Sequence, residues 1–311
     1  MSILVVGSVA FDSICTPHGT VDRCLGGAAT HFALAASFFT PVRVIGVVGE
    51  DFTAEHEEVF RVYGIDTQGI ERAPGKSFHW TGEYRDNLNE AQTLRTDLNV
   101  FESFQPKIPE AYRDSEFLFL ANIDPVLQLR VRRQMPRVKM VCGDTMNYWI
   151  SGHREKLLET LHELDALLIN DGEAKLLAEE NNLVHAAERI MEMGPKTLIV
   201  KHGEYGATAF FSDASFPVRV SNRFFRAPAL PLAEVVDPTG AGDSFAGGFF
   251  GYLASQPSLT PAVFKRAMFY GGVMGSFAVE RFGTERLQRL TREEIEERFN
   301  SFRELSHLDA E

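Results

Sequence analysis

Short, nearly unbroken apolar runs recur along the chain at residues 3–6, 42–48, 117–121, 139–143, 166–170 and 197–201, each the length of a strand buried on both faces. Between most of them, apolar residues return at helical spacing; the run GGAATHFALAASFF predicts a helix opening at Gly26 and Gly27. Strand and helix in alternation predict a doubly wound, mostly parallel α/β sheet with flanking helices. Residues 77–101 break that rhythm, with aromatic and β-branched residues alternating with polar ones around Asp86 and Asn87, the pattern of a hairpin acting as a flap. The runs at 207–213 and 216–221 predict an antiparallel extension of the sheet. Thr260-Pro261 and Thr291 each start an amphipathic helix. Without tandem repeats or a break in composition, residues 1–311 read as one domain.

The predicted strands end in polar residues: Asn122 and Asp124, Asp144 and Asn147, Asn170 and Glu173, His202 and Gly203. In an open parallel sheet these tips line one crevice. The chemistry concentrates at 235–250, VVDPTGAGDSFAGGFF. A turn at Asp237-Pro238 is followed by three small residues, Gly240, Ala241 and Gly242, at a helix mouth. Backbone N–H groups and the positive end of the helix dipole there suit an anion. Asp243 then places a carboxylate beside that pocket. Gly247, Gly248 and Gly251 each lower helix propensity by about 1 kcal/mol, so something must press close to this helix. Anion pocket plus base points to phosphoryl transfer onto a hydroxyl.

Composition removes several alternatives. A net charge of −12 argues against nucleic-acid and anionic-membrane partners, and the basic cluster at 130–139 reads as a solvated helix face. Three cysteines without CxxC spacing indicate neither a disulfide framework nor a zinc site, which fits a reducing cytoplasm. The first apolar run is too short for a signal peptide or membrane span. The first strand is not followed by GxGxxG, and Gly75-Lys76-Ser77 lacks the leading glycine of a Walker A loop.

DPTGAGDSFAGGF resembles the C-terminal signature of the PfkB carbohydrate kinase family, the ribokinase-like kinases, and the likeness extends over nearly the whole chain. It implies an ATP-dependent kinase using Mg2+, with a β lid over the acceptor built from about 10–23 and 77–101. Asp243 would be the general base and Gly240, Ala241 and Gly242 the anion hole; Asp12, Gly26 and Gly27 would hold the acceptor's hydroxyls. Asn170 and Glu173 match the family's NxxE, implied to place magnesium through water. Lys201, Gly203 and Gly206 match its KxGxxG beside the nucleotide, and Asp237 and Thr239 resemble ligands of a monovalent cation such as K+. One departure stands out: His31 replaces the amide of the family's GGxxxN, which bears on acceptor identity because an imidazole offers fewer bonds. Asn122, Asp124, Arg85 and Asn87 are further candidates for acceptor contacts by position alone. The leading expectation is a sugar kinase acting on a primary hydroxyl. The alternative is a nucleoside kinase, with Phe78, Trp80 or Tyr84 stacking on a base, and a ligand sensor without catalysis ranks third. Family members commonly pair through their lids, so a homodimer is expected.

Overall fold

The computed structural model describes residues 1–85, 87–212 and 223–306. Its strands are β1 (Ile3–Val6), β2 (Ala10–Thr16), β3 (Gly19–Gly26), β4 (Val42–Val48), β5 (Asp66–Arg72), β6 (Phe78–Glu83), β7 (Gln92–Asp97), β8 (Phe117–Leu120), β9 (Met140–Asp144), β10 (Ala166–Asn170), β11 (Thr197–Lys201), β12 (Ala207–Phe211) and β13 (Phe224–Ala227). Among the described residues, nine form one sheet in the order β13-β12-β11-β10-β9-β8-β1-β4-β5. It is parallel from β11 to β5, and β12 and β13 add antiparallel strands at one edge.

Alternation along β1 shows why such runs are apolar throughout. Ile3 and Val5 enter one hydrophobic cluster, Leu4 and Val6 the other, so each strand is buried on both faces. On the first face lie helices Ala28–Ser37, Ala241–Ser255 and Pro261–Ala278, whose Phe32, Phe249 and Phe277 share the cluster of β1 and β8. Helices Pro125–Gln134, Arg154–Leu161, Asp171–Ala178 and Leu183–Glu192 cover the second. The glycines of Ala241–Ser255 belong to this packing. A Cβ on Gly247 would lie 2.4 Å from the Phe32 carbonyl oxygen, and one on Gly248 would lie 2.6 Å from that of Tyr270. What presses close to this helix is therefore its two neighbouring helices.

The remaining strands form a second, four-stranded sheet, β3-β2-β6-β7. It is mixed: β2 pairs β3 antiparallel and β6 parallel, and β6 pairs β7 antiparallel. It is stitched to the loops around the long glycine-rich helix, with Thr16 Oγ1 donating to the Val236 carbonyl at 2.9 Å and Thr284 Oγ1 to that of Leu25 at 3.3 Å. The hairpin position Asp86 and the strand expected at 216–221 lie outside the described residues; the strand that pairs with β12 is β13. Edge strand β5 had no counterpart in the sequence pattern. Among the described residues, no helix is long and apolar enough to cross a membrane.

Candidate active site

Asp237 fixes the loop that enters the glycine-rich helix. Its carboxylate is fully buried and accepts from Thr239 N–H at 2.8 Å and from Gly283 N–H at 2.8 Å, which folds 237–239 against 283. The helix then starts at Gly240, whose φ of 73° lies in the left-handed region that glycine tolerates. A Cβ there would also sit 2.4 Å from the imidazole of His31, so the first residue of the expected anion hole lies flat on that ring. Gly240 offers no capping side chain; Ala241 N–H donates to the Pro238 carbonyl at 3.2 Å. Asp243 stands in the first turn, facing the crevice.

The strand tips bring a second set of charges to the same place. Lys201, the last residue of β11, puts Nζ 3.5 Å from Asp144 Oδ2 at the end of β9. That same Nζ lies 2.9 Å from where a Cβ on Gly242 would stand. Lys201 thus abuts the helix mouth, where an ammonium would face a phosphoryl group. Burial pushes the Asp243 carboxyl up to about 7, the charge of Asp144 adds to this, and Lys201 opposes it. Glu173 is likewise pushed up to about 7 by burial and by Asp144, against Lys201. Asp144 is raised by burial, with Lys201 pulling the other way. For Lys201, burial works against the charge, but Asp144, Glu173 and Asp243 outweigh it and raise its pKa.

On the side of the second sheet, Asp12 of β2 is buried, and a Cβ on Gly26 would meet its Oδ2 at 1.9 Å. Only glycine fits beside this carboxylate. Burial pushes Asp12 up to about 7; the Gly27 N–H lowers it, and the charges of Asp237 and Asp243 raise it further. Asp12 therefore lies within electrostatic reach of both Asp237 and Asp243. Gly27, with φ 93°, starts helix Ala28–Ser37 against the backbone of Ser8. His31 on that helix is buried and neither ring nitrogen has a partner among the described residues; burial alone lowers its pKa to about 4 and keeps it neutral.

Other expected contacts have structural duties. Asn122 Oδ1 accepts from Trp149 Nε1 at 3.0 Å, and Asp124 caps helix Pro125–Gln134 through Val126 N–H. Arg85 pairs with Glu83, and Asn87 Oδ1 accepts from Asn89 N–H. Asn170 and Glu173 close a capping box on helix Asp171–Ala178, each side chain accepting the other's N–H at 2.8 Å. Gly203 and Gly206, with φ of 56° and 93°, shape the turn between β11 and β12, and a Cβ on Gly206 would strike the Ala227 carbonyl at 2.2 Å. Phe78 stacks on Phe101, and Trp80, the register partner of Asp12, lies across Gly82 on the sheet face that carries that carboxyl. The Tyr84 hydroxyl reaches the loop before the glycine-rich helix, accepting from Thr239 Oγ1 at 3.1 Å. Motif matches singled out Lys201 and Thr239 and position alone Asp144 and Tyr84, but the Lys201–Asp144 pair and the Tyr84–Thr239 contact were missed in the sequence.

A crevice at the carboxyl ends of parallel strands, a glycine-started helix and a carboxylate in its first turn define a ribokinase-like phosphotransferase that acts on a hydroxyl. The sequence model of the pfkB family carbohydrate kinases matches residues 2–289, and the chain belongs to that family. A cytidine kinase of Thermococcus kodakarensis is 28 % identical over 264 residues, covering 83 % of this chain and 90 % of that protein. A nucleoside kinase of Methanothermobacter thermautotrophicus is 24 % identical over 320 residues, covering 91 % of each. The structure of Burkholderia thailandensis nucleoside kinase in complex with inosine shares the fold, with a TM-score of 0.75 at 21 % identity over 96 % of this chain and 98 % of that one.

Proposed function

We propose that this kinase transfers the γ-phosphoryl group of ATP to a hydroxyl of a ribonucleoside, with Asp243 as general base. The observation that carries this reading is the helix mouth, where Gly240 opens the helix at φ 73°, Asp243 stands in the first turn and Lys201 Nζ lies 2.9 Å from where a Cβ on Gly242 would stand, with the buried Asp12 carboxyl within electrostatic reach of Asp243. One carboxylate can accept hydrogens from vicinal ribose hydroxyls while another takes the proton of the attacked hydroxyl. A base displaced to about 7 is matched to its task near neutral pH. Gly240, Ala241 and Gly242 line the path of the phosphoryl group, and Lys201 supplies positive charge beside them. The names borne by the relatives favour a nucleoside over the free sugar first expected.

In this reading the second sheet is the lid, formed from about 10–26 and 77–101 on a single domain, and Asn170, Glu173, Gly203 and Gly206 border the nucleotide. Among the described residues, no three acidic, histidine or cysteine side chains stand close enough to hold a metal ion directly. Magnesium therefore fits here only through water, with Glu173 and Asp144 holding its hydration shell; bound with ATP, the ion would neutralise phosphate charge. The monovalent-cation assignment fits less well, because both Asp237 oxygens already hold the loop and the Thr239 hydroxyl is bonded to Tyr84. Exposed Leu94 on β7 and Leu98 just beyond it support pairing of two copies through this sheet, which sedimentation would detect. The substrate assignment is tested by ADP release with cytidine, uridine, adenosine, inosine, ribose and fructose. Turnover on a nucleoside with little on the free sugars is the expected result, and the reverse order would return the enzyme to the sugar kinases.

A further inference from the structure

We infer that Tyr84 is a specificity-determining residue, the lid's hydrogen-bond donor to a ring hydroxyl of an uncharged acceptor. This rests on the kinase reading above and gives Tyr84 a hydrogen-bonding role in place of stacking on a base. Tyr84 directly follows β6, and its N–H donates to the Cys15 carbonyl at 2.8 Å, extending the pairing of β6 with β2 that also carries Asp12. The ring is 8 % exposed, and the hydroxyl accepts from Thr239 Oγ1 at 3.1 Å, two residues from Asp237 and one before Gly240. A phenol that accepts one bond still has its own proton to give.

The surroundings decide what that proton is for. Asp12, Asp237 and Asp243 all act on the Tyr84 hydroxyl through their charges. Ionised, all three are acceptors, and Asp237 is occupied by Thr239 and Gly283 N–H groups. A ribose hydroxyl needs both kinds of partner: its hydrogen goes to a carboxylate, and its oxygen lone pairs require a donor once water is excluded. Tyr84 supplies such a donor from the lid, alongside the neutral His31 imidazole of helix Ala28–Ser37. The charges acting on Asp12 are those of other carboxylates, so a phosphate or carboxylate on the acceptor would be repelled. Burial, aided by those carboxylates, pushes the Tyr84 phenol up to about 12, so it remains a donor at any working pH.

Tyr84→Phe removes the oxygen and leaves the ring packing in place. With the best acceptor of the panel above, the variant should raise the acceptor KM about tenfold, the size of one lost hydrogen bond in a closed site, and leave the KM for ATP within about twofold. The penalty should shrink to less than about twofold on one singly deoxygenated form of that acceptor, the form lacking the hydroxyl that Tyr84 meets. An unchanged acceptor KM, an equal penalty on every deoxygenated form, or an ATP KM that rises in step would overturn the inference. Wild-type protein that transfers phosphate to no panel member would contradict the kinase reading for those acceptors. Calorimetric titration of the same compounds then decides Tyr84 separately: about tenfold weaker binding by the variant supports it, and equal binding, or no binding by the wild type, overturns it.

Discussion

Helix Asp171–Ala178 begins with its own side chains closed around it, whereas helix Ala241–Ser255, also starting at the crevice, begins on a residue that has none. In the first, Asn170 accepts from Glu173 N–H and Glu173 from Asn170 N–H, both at 2.8 Å. In the second, Gly240 sits at φ 73° on the face of His31, with Asp243 inside the first turn and Lys201 across from Gly242. Both helices bring an acidic residue to the N-terminal turn, which the dipole favours. Both carboxyls are pushed up to about 7 beside Asp144 and Lys201, but Glu173 is also tied to its own helix as a cap, whereas Asp243 follows a start without a side-chain cap. A motif that closes on itself is structural first; one that stays open at a charge cluster is where chemistry is placed.

The largest effect should come from closing the open end. Gly240→Ala adds a Cβ into the His31 ring at a left-handed φ, and should lower phosphoryl transfer at least about a hundredfold while costing about 1–3 kcal/mol of stability. Rates and melting temperatures would show both, and a variant with wild-type transfer would remove this residue from the site. The cost of Asp243 to folding comes next. Its folded pKa of about 7 exceeds the ordinary 3.8, so the folded protein binds the proton more tightly and stability is lost as pH rises through that interval. Asp243→Asn escapes this loss. Its melting temperature should match the wild type near pH 4 and exceed it by pH 8, by up to about 4 kcal/mol in free energy; a difference independent of pH would contradict the displacement. Smallest is the closed end, where Asn170→Ala should cost about 1 kcal/mol of stability, and Asn170→Ser, which can still cap, should restore most of it. If Asn170→Ser restored stability but not turnover, Asn170 would do more than cap.

Much of this arrangement was legible in the sequence, and the rest was hidden for identifiable reasons. Strands β1, β4 and β8–β11 are apolar on both faces because helices cover both, and such runs are visible without context. Strand β5 (DTQGIER) lies at the sheet edge with Gln68, Glu71 and Arg72 exposed, so its pattern is that of a loop. Gly240, Ala241 and Gly242, proposed to line the anion hole, and Asp243 are contiguous and could be read in one string. Lys201 and Asp144 are 57 residues apart, and Thr239 and Tyr84 are 155 apart, so only the folded sheets bring each pair together. The replacement of an amide by His31 was visible, but its burial against Gly240 was not. The glycines within helix Ala241–Ser255 announced a close approach without naming the partners, which are helices Ala28–Ser37 and Pro261–Ala278.

The central claim is that Asp243 takes the proton from the attacked hydroxyl, and single-turnover transfer from ATP to the best nucleoside acceptor tests it most directly. At pH 8, Asp243→Asn should bind ATP and acceptor within a few-fold of wild type yet transfer the phosphoryl group about 10²–10⁴ times more slowly. Transfer at a rate within threefold of wild type would show that the base lies elsewhere.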